Sequence, residues 1–108
     1  MKAGGLPPRI KIGPMIYQVK LEPGLKDGDG LLDGRHRPSD CSLTIRAELP
    51  DSDYRKAVLL HEVIHACMET SAVRLPQELV EPVSDALAYT FLALLRDNPK
   101  LVEYLTCR

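Results

Sequence analysis

A chain of 108 residues, 44% apolar and 27% charged, has the size and balance of one globular domain, neither two cores nor a disordered tail. Fourteen basic residues against fifteen acidic ones give a formal charge of −1, and no basic run restores the footprint of a nucleic-acid binder. No apolar stretch has the length to cross a bilayer, the first residues lack the apolar core of a secretory signal, and three cysteines cannot all pair. The expectation is therefore a single domain over residues 1–108, cytoplasmic and reduced, with neither nucleic acid nor membrane as partner.

Residues 1–9, with two Gly and two Pro, read as a flexible lead-in to a sheet region over 10–49. Ile10, Ile12, Ile16, Val19 and Leu21 alternate loosely around Gly13-Pro14, which predicts two short strands or one strand with a turn. Residues 22–38 are rich in Gly and Asp and read as a long hairpin connection, with a short strand near Leu31-Leu32. Within it Asp27-Gly28-Asp29-Gly30 resembles half of a calcium loop, but it lacks the closing Glu and the flanking helices, so turn chemistry accounts for it. Cys41, Leu43, Ile45 and Ala47 alternate with Ser42, Thr44 and Arg46 as a clear strand. Pro50-Asp51-Ser52-Asp53 supplies a helix start, and a helix spans about 51–73. A second helix runs over about 77–97 and stops at Asp97-Asn98-Pro99, and a short helical turn spans 99–105. Strands followed by helices make an α+β domain, with a small antiparallel sheet of about three strands packed on two main helices. Aromatic residues are scarce, so aliphatic stripes, Val58-Leu59-Leu60 and Leu87, Phe91, Leu94 and Leu95, are assigned to the core.

The chemistry concentrates in His61-Glu62-Val63-Ile64-His65. Four helical residues rotate the chain by roughly 400° and advance it about 6 Å, so both imidazoles leave one face a turn apart. That spacing suits two nitrogens on one Zn²⁺ at about 2.0–2.1 Å each. Glu62, about 100° around the helix, is placed to act as general base on a zinc-activated water without binding the ion itself. A third ligand is required. Glu69 lies too far along the axis, Cys67 faces away, and Met68 and Ser71 break the pattern of a third-histidine zincin. On the second helix Glu81 and Asp85 fall one turn apart, where a glutamate can ligate and an aspartate can hold the N–H of a ligating imidazole. Pro82 follows Glu81 directly, so the helix either begins near Glu81 or kinks there; Glu78 is the runner-up ligand.

A helix with HExxH followed by a helix with ExxxD resembles the gluzincin arrangement of thermolysin-like peptidases. The brevity of the chain and its Leu-Leu-Arg-Asp-Asn-Pro tail look like minimal zincins of phages and prophages, distant relatives of the ImmA/IrrE-type metallopeptidases. The resemblance covers about residues 58–99. It implies a zincin-like fold, Zn²⁺ held by His61, His65 and Glu81, Glu62 as general base, Asp85 holding a ligand ring, and peptide-bond hydrolysis in a host cytoplasm if the chain is phage-encoded.

An oxyanion also needs a donor. Tyr89, one turn beyond Asp85, is one candidate, and His36, Tyr104 and Arg46 are others. In zincins an edge strand beside the cleft pairs with the extended substrate, and strand 41–47 is either that strand or an ordinary inner one. The expected substrate is a peptide or an unfolded protein segment. The rival reading is a non-catalytic regulatory or partner-binding protein in which zinc clamps two helices; a metal-free interaction domain with a chance motif is a third.

Overall fold

In the computed structural model, residues 5–72 and 74–108 are described; residues 1–4 of the expected lead-in, and Val73 at the end of the expected first helix, lie outside them. The alternation near the N-terminus becomes a hairpin, with β1 (Arg9–Ile12) and β2 (Met15–Glu22) joined by Gly13-Pro14. Gly13 takes φ 57°, which a side chain would resist, and a Cβ there would stand 2.7 Å from Thr70. The Gly/Asp-rich stretch forms a small ribbon, β3 (Lys26–Asp27) and β4 (Gly30–Leu31), turning through Gly28-Asp29 as hairpin chemistry rather than a calcium loop. A further strand follows that was not expected, β5 (Gly34–Arg37), then a single 3₁₀ turn and β6 (Ser42–Arg46).

The domain is α+β, with a small sheet and three helices. The sheet corrects two expectations. It has four strands in the order β1-β2-β6-β5, and it is mixed rather than antiparallel because β2 and β6 run parallel. The ribbon and β5 together supply the crossover that a parallel pair requires. Strand 41–47 is also not the edge: β6 lies between β2 and β5, and β5 forms the border of the sheet. Four consecutive β6 residues are buried, as an inner strand demands.

Helix α1 (Asp53–Ser71) starts where the sequence placed it, with the Ser52 hydroxyl accepting from the Arg55 N–H. It lies on one sheet face, where Ile12, Tyr17 and Leu43 close around Ala66. Helix α2 (Gln77–Asp97) runs antiparallel to α1, and α3 (Pro99–Thr106) extends beyond it. Two hydrogen bonds, 3.0 and 3.1 Å, tie Arg96 near the end of α2 to Asp53 at the start of α1. The helix does not begin near Glu81 but runs through it, with Pro82 inside the helix. It starts at Gln77, and the carbonyl that loses its donor is that of Glu78; Glu78 and Pro82 are both exposed, so water can satisfy it. One core assignment fails: Val58 is buried, but Phe91, Leu94 and Leu95 are exposed and Leu87 only half-buried. Among the described residues no helix is long and apolar enough to cross a membrane.

Candidate metal centre

His61 and His65 project from one face of α1, with ring centroids 4.5 Å apart. Antiparallel packing brings Glu81 of α2 over them: Glu81 Oε2 is 2.8 Å from His61 Nε2, and Oε1 is 3.5 Å from His65 Nε2. One ligand atom from each of these three residues lies within 4.8 Å of the others. Two ligands at tetrahedral angles on one zinc sit about 3.4 Å apart. Glu78, the runner-up, is exposed and stands outside this group. Asp85, one turn beyond Glu81, meets His61 Nδ1 at 2.6 Å and so leaves Nε2 to face the shared point.

Whether the residues suit a cation can be asked of the polar atoms. His65 Nε2 is buried and makes no hydrogen bond, since Glu81 Oε1 at 3.5 Å is too distant to serve it. A buried nitrogen without a partner costs stability unless something occupies its lone pair. Burial, with the neighbouring His61, also holds the His65 pKa below the usual imidazole value, which favours the neutral form that ligates. These donors fit a divalent cation of the zinc type, for which imidazole and carboxylate are suited ligands.

Glu62 lies beside the group and does not join it. It is buried, its Oε1 is 3.8 Å from His65 Nδ1, and burial pushes its pKa up to about 7, with Glu81 and Asp85 adding to the rise against His61. A carboxyl held near neutrality can both take and return a proton. Its seat depends on Gly34 of β5, where a Cβ would stand 3.0 Å from Glu62 Cγ and 2.9 Å from Val58 Cγ1. Only glycine lets the border strand come this close.

A cleft of about 520 Å³ opens over the group, walled by β5 on one side and α2 on the other. A second hollow of about 330 Å³ shares His36 and His65 with it, so the two hollows meet at these imidazoles. Tyr89 does line the cleft, although it is 54% exposed. His36 lines it too; its Nε2 is 3.3 Å from the Tyr17 hydroxyl, and burial lowers its pKa. The other two oxyanion candidates are placed elsewhere. Tyr104 is 80% exposed on α3, and Arg46 is engaged by Asp33 at 2.8 Å and by the Leu32 carbonyl.

Tyr54 and Asp33 were not expected at the cleft. The Tyr54 hydroxyl donates to Asp33 Oδ2, which lifts the Tyr54 pKa to about 12, while Tyr54 and Arg46 hold Asp33 below the usual carboxylate range. Tyr54 had a signal. It precedes Val58, His61 and His65 by 4, 7 and 11 positions, which is one helical stripe. Comparison of the chain with protein-family models, with curated proteins and with solved structures finds no match.

Proposed function

We propose that this chain is a minimal gluzincin-like, zincin-fold metallopeptidase that hydrolyses peptide bonds with one Zn²⁺ held by His61, His65 and Glu81. The supporting observation is the buried, partnerless His65 Nε2 facing the same point as His61 Nε2 and a Glu81 carboxylate brought from a second helix. Zinc, when bound there, supplies a Lewis acid that polarises a carbonyl and lowers the pKa of a coordinated water toward roughly 7.

The chain's own residues do the rest. Asp85 accepts the N–H of His61 Nδ1 and fixes that ring's tautomer and orientation. Glu62, protected from bulk solvent and outside the donor group, takes a proton from the attacking water and returns it to the leaving amine. Tyr89, on the opposite wall, is the hydroxyl available to a developing oxyanion. β5 borders the sheet with its outer edge unpaired among the described residues, so an extended polypeptide can add to it as a strand and lie across the imidazoles. Among the described residues three donors would hold the ion, which suits a catalytic zinc that also takes water, whereas a structural clamp would need a fourth protein donor.

The test compares zinc content and cleavage of an unfolded protein by the wild type and Glu62→Gln. The expected result is one zinc in each, with cleavage reduced about 10²- to 10⁴-fold in the variant. Equal cleavage by both would refute the assigned base. Full zinc with no cleavage in either would make the metal a clamp, and no zinc in either would end the reading.

A further inference from the structure

The two faces of β5 carry different chemistry. Gly34 and His36 point toward α1, as their closeness to Glu62, Tyr17 and His65 shows. Arg35 and Arg37 therefore point to the opposite face of the sheet. There Arg35 aligns across Thr44 with Lys20, and Arg37 aligns across Ser42 with Gln18. Ser42 and Thr44 are buried beneath these longer side chains.

The ladder fixes which backbone groups are free. Arg46 N–H donates to the Asp33 carbonyl at 2.9 Å, so Asp33 and Arg46 form a hydrogen-bonded antiparallel pair. Such pairs alternate, so Arg35 and Arg37 direct their backbone groups to β6 while Gly34 and His36 direct theirs to the open border. A peptide strand docking there bonds to Gly34 and His36. Its side chains then alternate, one set entering the cleft and the other lying beside Arg35 and Arg37.

On the arginine side the internal partners are weak. Glu22 approaches Arg35 only to 3.7 Å, and Asp40 approaches Arg37 only to 3.8 Å. Arg35 Nε is buried and has no hydrogen-bond acceptor. The Arg37 side chain is 47% exposed and its ion pair is long, so its planar guanidinium is open to a carboxylate, with the Arg35 charge behind it. The cleft side, by contrast, already holds the carboxyls of Asp33, Glu62, Glu81 and Asp85.

We infer that Arg35 and Arg37 make the groove selective for polypeptide segments carrying acidic side chains at alternate positions, the carboxylates lying on the face of β5 away from the imidazoles. This rests on the peptidase reading for its substrate class, but its test does not need turnover. Fluorescently labelled ten-residue peptides with Glu, Gln or Lys at every second position are titrated into zinc-loaded Glu62→Gln protein, with anisotropy as the readout. The Glu peptide should bind tightest and the Lys peptide weakest, with about a 2- to 5-fold step per carboxylate that shrinks as salt rises. Arg37→Glu should reverse the order. Arg35→Gln should narrow it, and Arg37→Gln, at an exposed side chain, repeats the test if Arg35→Gln fails to fold. Equal binding of the Glu and Lys peptides, no binding of any, or an order unchanged in Arg37→Glu overturns the inference. A wild type that cleaves without charge preference refutes the inference alone, whereas charge-selective binding without cleavage by the wild type refutes the peptidase reading alone.

Discussion

The two halves of α2 invert the usual relation between polarity and burial. The first half turns Glu81, Ser84, Asp85 and Ala88 toward α1, and its two buried residues, Ser84 and Ala88, are small. The second half carries Phe91, Leu94 and Leu95, yet each is 41–43% exposed, and α3 beyond it leaves Tyr104 and Leu105 in solvent. The difference comes from where α1 lies. Its start meets Arg96 and its middle meets Glu81 and Asp85, so α1 covers one side of α2 and leaves the apolar side bare. Small residues at the crossing bring the helices close enough for a carboxylate on one to reach imidazoles on the other. Chemistry, rather than apolar area, occupies the inner seam.

The sharpest way to break this comparison is to remove the proposed ion or one of the residues proposed to hold it. A cation bound a hundredfold above its dissociation constant contributes about 2.7 kcal/mol, so chelation should lower Tm by roughly 10 °C. His65→Ala should melt at the same temperature with and without zinc. If zinc shifts wild type and His65→Ala alike, the ion sits elsewhere.

Packing provides the next contrast. Ala88 is 1% exposed, so Ala88→Leu should cost about 1–3 kcal/mol by urea denaturation, whereas Leu94→Ala in the bare half should cost less than about 1 kcal/mol. Gly34→Ala belongs with the first, because its Cβ would press on Val58 and Glu62. It should lower stability and the activity assigned to Glu62 together. Comparable losses at Ala88 and Leu94 would mean that the second half of α2 is covered in solution.

The smallest effect concerns Asp33, beside the cleft. Tyr54 and Arg46 hold its folded pKa below the unfolded value of about 3.9. The carboxylate therefore contributes stability above pH 4 that disappears as pH falls through the lower folded value. Asp33→Asn should lose under about 1 kcal/mol at pH 7, after solvent screening, and show a shallower acid limb below about pH 4. An unchanged acid limb would remove Asp33 from the account of the β5 end.

The helices were legible because their punctuation is local. Ser52 caps one, Pro76 and Asn98 bracket another, and the turn-length spacing of His61 with His65 and of Glu81 with Asp85 needs no tertiary knowledge. Burial along α2 was not legible, since a stripe of Phe91, Leu94 and Leu95 reads the same whether or not a neighbour covers it. The sheet was harder still. β5 is Gly-Arg-His-Arg, four residues with no aliphatic side chain, and its place is fixed by pairing with β6 and by the space that Gly34 leaves over Glu62. The parallel pairing of β2 with β6 is a long-range choice that alternation within either strand does not encode. At the site, the motif supplied His61, Glu62 and His65, and the one-turn spacing of Glu81 with Asp85 pointed to Glu81; that Glu78 stands outside the group is seen only once α2 is packed on α1.

The choice of Glu81 over Glu78 makes the most direct test of the central claim. Metal-free wild type, Glu81→Ala and Glu78→Ala are titrated with Zn²⁺ in a calorimeter. One equivalent should bind to the wild type and to Glu78→Ala, with affinity at least tenfold weaker or lost in Glu81→Ala. Zinc bound as tightly by Glu81→Ala as by the wild type would contradict a centre shared between the two helices.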